Sequence, residues 1–361
     1  MMIDDVLIVI PCLNEETHIE SVIRQLMTEP RPNRFLVVVA DGGSTDRTCE
    51  IVINLSREFS RLRLVHNPKR IQASAINLAV RTFGAHFKYL LRIDAHSGYP
   101  ARFLDRLSQQ LVVTDAQSVV VPLEAAGTTT FQKIVAIVQN SRLGTGGSAH
   151  RHKGCNRWVD HGHHALFDLK TFCNLGGYNE DFPYNEDAEF DYRLTGAGCK
   201  IWLAGTLPIK YYPRKTLTSL YKQYFRYGSG RASTVKAHKT PLKLRQWAPV
   251  LIVPLCGLGV LGALAEQWLL ALPAVSWATT CNFIAASLAI RHRDINVLCA
   301  GIVAMAMHFA WSAGFWRSLL LKPRAGATEL APLKVEKIIA DFNAHSETDN
   351  AKNSAVVERV A

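Results

Sequence analysis

Asp94-Ala95-His96 sets a carboxylate and an imidazole two residues apart, a pair that can share one divalent ion with a phosphate. Taken alone the pair is unspecific, and its weight depends on where the fold puts it. Asp41-Gly42-Gly43-Ser44-Thr45-Asp46 offers glycines that allow close backbone approach and amides beside a helix start, which suits a phosphate or a nucleoside. The same residue types also serve as plain turn and cap residues. Pro11-Cys12-Leu13-Asn14-Glu15-Glu16 forms a second turn of this kind. Glu186-Asp187 follows the Gly176-Gly177-Tyr178-Asn179-Glu180 turn and opens a helical stretch. Carboxylates there either cap the helix or take a proton from a hydroxyl. Asp160-His161-Gly162-His163-His164 tempts a zinc reading but has no cysteine partner, so pocket-lining or structural roles are expected for its histidines. Trp158 and Trp202 are expected in the core rather than on a sugar.

The elements that must position these groups read as alternating strands and helices. Residues 6–10, 35–40, 62–65 and 89–93 are short continuous apolar runs, as buried parallel strands are. Helices are predicted over 17–28, from the 41–46 turn to about 59, over 72–84 and over 187–195. Such alternation means a mostly parallel sheet with right-handed crossovers. The polar clusters sit at the carboxyl ends of the strands, where open α/β sheets bind ligands. The turns at 11–16 and 41–46 then share one crevice, and Asp94 closes the fourth strand.

These pieces, in this order, resemble the inverting family 2 glycosyltransferases, which have a GT-A, Rossmann-like fold. The resemblance covers about residues 6–230. Asn14-Glu15 and Asp41 to Asp46 look like the two donor motifs, and Asn77 in Ala73-Ser74-Ala75-Ile76-Asn77 like the family's asparagine helix. Asp94-Ala95-His96 stands at the metal-motif position, and Glu186-Asp187 at the acidic catalytic motif. Gln223-Tyr224-Phe225-Arg226-Tyr227 resembles the Q-x-x-R-W motif with Tyr for Trp. The resemblance implies a donor site from Pro11, Asn14, Glu15, Asp41, Asn77 and Asp94. Gln223, Arg226 and Tyr227 would lie toward the diphosphate or acceptor end. It also implies Mn²⁺ or Mg²⁺ held by Asp94 and His96, and Asp187, beside Glu186, as general base. Gly42 replaces a frequent second Asp, so a base contact rests on Asp41 alone. His96 replaces a second metal-motif Asp, which shifts preference toward Mn²⁺.

Charge and hydropathy place the rest. No acidic residue lies between Asp191 and Glu266, while twelve Lys and Arg run from Arg193 to Arg245, more than the net charge of +11. Apolar stretches follow at 248–265, 268–290 and 296–316. A basic belt against apolar spans reads as a collar facing anionic lipid rather than a nucleic-acid patch. The acidic N-terminus lacks the basic region of a signal peptide, so the front domain is expected in the cytoplasm. Eight cysteines without a CxxC pair look like reduced thiols. The expected organisation is a catalytic domain over 1–212, a basic amphipathic interface segment over 213–247, two to three spans over 248–321, and a polar tail over 322–361. Two spans return the chain inside at Arg291–Arg293, as the positive-inside rule prefers, whereas a third sends the basic tail outside.

Within the family, the collar and spans resemble the bacterial exopolysaccharide branch, succinoglycan-type glucosyltransferases among them. That implies an inner-membrane enzyme moving a sugar from a UDP-hexose to a polyprenyl-diphosphate-linked saccharide. A processive synthase and an inactive membrane scaffold are the alternatives. Three short spans are few for a channel, and the intact Asp41, Asp94 and Asp187 speak against inactivity.

Overall fold

The computed structural model describes residues 4–28, 34–147, 154–242, 244–321 and 330–335. They form two compact units, neither continuous in sequence. The first holds the chain up to Leu123, then Lys153–Ile209, then the chain from Glu329. The second holds Glu124–His152 and Lys210–Thr328. The segment over 124–152 therefore groups with the C-terminal helices, which no local pattern in the sequence announced. Most of the 322–361 tail lies outside the described residues.

The first unit begins with β1 (Val6–Cys12), α1 (Ile19–Thr28), β2 (Phe35–Asp41), α2 (Thr48–Glu58), β3 (Leu62–His66), α3 (Gln72–Phe83) and β4 (Tyr89–Arg92). Every residue from Val6 to Ile10 and from Phe35 to Asp41 is buried, as a doubly covered parallel sheet requires. Next come α4 (Phe103–Thr114), β5 (Ser118–Val121) and β6 (Leu123–Ala125). In the second unit, α5 (Thr130–Gln139) starts at a Thr129/Gln132 capping box, and α6 (Arg142–Thr145) follows. The chain returns with β7 (Arg157–Val159), β8 (His163–Asp168), α7 (Leu169–Asn174), α8 (Glu186–Gly196), β9 (Ile201–Leu203) and β10 (Ile209–Tyr211), which pairs with β6.

The main sheet has the order β3-β2-β1-β4-β8-β5-β9-β7. β3, β2, β1 and β4 are parallel, and β8 is antiparallel to both β4 and β5. Register sets the site: Cys12 lies level with Asp41, and Arg92 level with Val9. The loops leaving β1, β2 and β4 therefore emerge side by side.

The second unit adds α9 (Leu217–His238), α10 (Leu244–Leu264), α11 (Leu272–His292) and α12 (Ala300–Leu320). The last three are long and apolar enough to cross a membrane. Pro249 and Pro254 sit inside α10. Pro254 has no N–H for the Val250 carbonyl, so that acceptor needs another donor. Ser312 Oγ supplies one at 2.9 Å and Trp316 Nε1 a second at 2.8 Å, while Val253 N–H donates to Ser312 Oγ at 3.0 Å. Ser312→Ala removes a donor to the buried Val250 carbonyl and an acceptor for the half-buried Val253 N–H. A cost of about 1–3 kcal/mol is expected, read as a lower melting temperature in detergent. An unshifted melt would show that these backbone groups are satisfied by other partners.

Candidate active site

The β1–α1 and β2–α2 turns are latched to each other by the residues the sequence singled out. Asn14 sits at φ 57°, and its Oδ1 accepts from Thr45 N–H at 2.8 Å. Its own N–H donates to Ser44 Oγ at 2.8 Å, and Glu15 N–H donates to Thr48 Oγ1 at 2.8 Å. Asp41 accepts from Gly43 N–H at 2.8 Å and Ser44 N–H at 3.0 Å. Burial works to raise its pKa, but the bonds from Ser44 and Gly43 prevail and hold it below the usual range. Gly43 needs its φ of 86°, a conformation that L side chains adopt at a cost. The Arg70 guanidinium lies over it, within 3.4–3.6 Å of where a Cβ would stand. Arg70 is an exposed cation beside this turn that nothing in its local sequence pattern marks.

Asn77 has a different task from the one expected. Only 2 % exposed, it donates to Tyr178 O at 2.7 Å and Glu180 Oε1 at 3.0 Å, and accepts from Tyr178 N–H at 2.9 Å. Its amide is spent on clamping the Gly176–Glu180 turn. Gly177 (φ 68°) makes the clamp fit, since a Cβ there would come within 2.5 Å of Asn77 Oδ1. Trp158 also departs from expectation. It lies on the edge strand β7 at 49 % exposure, edge-on to Trp202 at 4.8 Å, rather than in the core.

The centre of the site is Arg92 at the end of β4. Buried, it lies 3.7 Å from Asp94 Oδ1 and 3.4 Å from Glu186 Oε1. α8 presents Glu186, Asp187 and Glu189 in its first turn, where the helix dipole favours negative charge. Asp187 pairs with His163 Nδ1, and one helical turn on, Asp191 pairs with His161 Nδ1 at 2.8 Å. His163, the first residue of β8, meets Asp187, and His161, two residues before it, meets Asp191 one helical turn further on. That pair of spacings was the signal available in the sequence.

These contacts pull the two neighbouring carboxyls apart. Burial, reinforced by the Asp187 charge, pushes Glu186 up to about 7, with Arg92 opposing. Burial acts on Asp187 in the same direction, but His163, His161 and Arg92 overcome it and hold Asp187 well below the usual carboxylate range. Splitting adjacent carboxyls in this way separates an acid from a base. Because Glu186 is raised in the folded state, its neutral form stabilises the fold at low pH. That contribution is lost as pH rises from about 4.5 through 7. Melting temperature is therefore expected to fall between pH 5 and 8, for a loss on the order of 1–3 kcal/mol, and Glu186→Gln should flatten the slope. An equally steep slope in the variant would assign it to other groups.

Two sets of side chains bear on a divalent ion. Asp94 Oδ1 accepts from Gln72 Nε2 at 3.2 Å, and His96 Nδ1 meets Glu15 Oε1 at 2.8 Å. Carboxylate and imidazole are donor types that Mn²⁺ or Mg²⁺ accepts, but Asp94, Glu15 and His96 are not gathered into a three-ligand group in this structure. His161, His163 and Asp187 form a second group, with ligand atoms within 4.8 Å of one another. The remaining predicted residues, Gln223, Arg226 and Tyr227, belong to the second unit. There Gln223 Nε2 donates to Tyr211 OH at 2.7 Å and to Tyr227 OH at 3.0 Å.

Comparison with known proteins agrees with this architecture. Residues 7–173 match the family described as glycosyl transferase family 2. The chain is 46 % identical over 314 residues to the succinoglycan biosynthesis protein ExoA of Rhizobium meliloti (strain 1021), covering 87 % of this chain and 94 % of that protein. A Methanococcus voltae protein is 23 % identical over 240 residues, covering 63 % and 73 %. It is the dolichyl N-acetyl-alpha-D-glucosaminyl phosphate 3-beta-D-2,3-diacetamido-2,3-dideoxy-beta-D-glucuronosyltransferase. Among solved structures, the mannosyltransferase PcManGT from Pyrobaculum calidifontis, in complex with GDP-Man and Mn²⁺, has a TM-score of 0.57 at 18 % identity, covering 88 % of this chain and 90 % of that one. That likeness speaks for the fold. With 46 % identity running through nearly the whole of the first relative, lineage and fold agree: the chain belongs to glycosyl transferase family 2 and has its GT-A architecture.

Proposed function

We propose that this glycosyltransferase moves a hexose from a UDP-sugar to a polyprenyl-diphosphate-linked saccharide, with inversion, during bacterial exopolysaccharide assembly. The observation that carries the chemistry is the split pair at the start of α8. Asp187 stays ionised, ready to take the proton of an acceptor hydroxyl as that oxygen attacks the sugar carbon from the face opposite the leaving diphosphate. His163 orients its carboxylate, and Arg92 couples Glu186 to Asp94. Pro11, Asn14, Glu15 and Asp41 line the latched turns on the nucleoside side of this reading, with Arg70 close by. The roles of Gln223, Arg226 and Tyr227 rest on their motif. The first relative's name supports a part in exopolysaccharide synthesis, and the second's supports a lipid-linked acceptor. The apolar helices and the basic belt support a seat in the bacterial inner membrane against anionic lipid, with the catalytic unit in the cytoplasm.

The test is transfer of radiolabel from a panel of UDP-hexoses into a lipid extract by membranes holding the full chain. One added sugar is expected. A ladder of products would favour a processive synthase, and no transfer from any UDP-hexose would overturn the donor class. A divalent ion at Asp94 and His96 would offset charge on the departing diphosphate. EDTA is expected to stop transfer, with Mn²⁺ or Mg²⁺ restoring it, and His96→Asp should shift preference toward Mg²⁺, since a carboxylate is the harder ligand. Mn²⁺ affinity that falls in His163→Ala but not in Asp94→Ala would move that ion to the His161–His163–Asp187 group. Full activity in EDTA would remove the ion from the scheme.

A further inference from the structure

We propose that His161, His163 and Asp187 form a binding site for a transition-metal ion of the Zn²⁺ class, and that an ion seated there stops sugar transfer by occupying the Asp187 carboxylate. The site does not depend on what Asp187 does in transfer, while the inhibition rests on its reading as general base. One ligand atom from each of the three side chains lies within 4.8 Å of the others, and no other such group of His, Cys, Asp or Glu occurs among the described residues. The histidine run has no cysteine partner in the sequence, and the fold brings it a carboxylate from α8 instead.

The donor set selects the ion. Two imidazoles and a carboxylate, with a fourth position open to water, is the arrangement of zinc sites that have three protein ligands. Zinc bonds of about 2.0–2.2 Å would draw the three atoms together by roughly 1 Å, a shift within reach of side-chain rotation. Mg²⁺ prefers oxygen donors, and at a mixed nitrogen and oxygen site Zn²⁺ binds more tightly than Mn²⁺. The side chains of His161, His163 and Asp187 are 15 %, 23 % and 13 % exposed, so an ion can reach them without unfolding.

The surroundings hold these ligands as a metal site would. A ligating histidine sets its other ring nitrogen against a carboxylate, which fixes the ring and raises its basicity. Asp191 stands in that place for His161. Buried, it meets His161 Nδ1 at 2.8 Å and accepts from Gly162 N–H at 3.0 Å. Asp187 and Asp191 leave α8 one turn apart, so ligand and supporting group share one rigid element. Between the histidines, Gly162 lets the backbone press on Val120, since a Cβ there would stand 2.2 Å from Val120 Cγ2. The two rings meet edge-on at 5.1 Å. An ion would replace the contact between His163 Nδ1 and Asp187. A carboxylate held by a dication no longer accepts a proton from a hydroxyl.

The test uses the full-length chain in detergent, stripped with EDTA and then freed of the chelator. Zn²⁺ affinity is measured by competition with a chromogenic chelator in the parent, His161→Gln, His163→Gln and Asp191→Asn. Asp94→Asn and a Cys155→Ser change at the exposed thiol are the controls. A single tight equivalent is expected in the parent and both controls. Asp191→Asn should weaken it about 10–100-fold, as loss of an outer partner does, and each histidine variant should weaken it more. Unchanged affinity in the histidine variants, or loss in either control, overturns the site. Co²⁺ in the parent asks the same question without a substitution. The intense visible bands of a four-coordinate, nitrogen-bound ion support the site, and a weak six-coordinate spectrum overturns it. Transfer is then assayed over saturating Mn²⁺ with rising Zn²⁺. It should be lost as the site fills and return with chelator. A filled site with full transfer overturns the inhibition, whereas the base itself is judged by the rate of Asp187→Asn.

Discussion

Asp187→Asn is expected to abolish sugar transfer while leaving UDP affinity nearly unchanged. Asn keeps the volume and a hydrogen-bonding oxygen for His163, so the helix start stays in place, but the group no longer takes a proton. Loss of a general base costs about 10²–10⁴ in rate. In the proposed role Asp187 acts on the acceptor and not on the nucleotide, so donor binding should not follow. Both are measured in one variant, by transfer rate and by UDP titration. Turnover within about tenfold of the parent would move the base to Glu186, whose pKa of about 7 also suits proton transfer near neutrality.

Gly314→Ala, like Gly228→Ala, is expected to be among the most damaging single-methyl changes in the second unit. A Cβ at Gly314 would stand 1.9 Å from Phe225 O, and one at Gly228 would stand 1.9 Å from Trp311 O. The two backbones touch through this reciprocal pair of glycines, so neither methyl has a flexible side chain to displace. Forcing the helices apart also strips the bonds from Ser229 Oγ to Gly314 O and from Lys236 Nζ to Ser318 O, for a cost of about 3 kcal/mol or more. Gly257→Ala is the control, because a Cβ there meets nothing within 4 Å. Its melt in detergent should be unchanged or raised, alanine being the better helix former by about 1 kcal/mol. If Gly314→Ala melts like the control, α9 and α12 are not packed as described.

Local patterns and long-range ones were unequally legible. β1 to β4 announced themselves as continuous apolar runs, and they match at Val6–Cys12, Phe35–Asp41, Leu62–His66 and Tyr89–Arg92. The apolar helices were equally plain. The second half of the sheet was not, because β5, β7, β8 and β9 are three to six residues long and gain their identity from partners far away in sequence. The acidic motif was readable in order, but its wiring was not. That Arg92 would hold Glu186 and Asp94, and that two histidines would meet Asp187 and Asp191, depends on β4, β8 and α8 meeting in space. Asn77 shows the converse hazard: an asparagine in the right motif proved to be a clamp for the neighbouring turn.

The placement of Leu330–Val335 also orders the protein's assembly in time. These residues leave the ribosome after α10, α11 and α12, yet they cover Gly176 and Gly84 and bond to Cys173. The turn that leads into Glu186 and Asp187 therefore stays uncovered throughout synthesis of the apolar helices. The catalytic unit thus reaches its final packing only after the last of the apolar helices has been made.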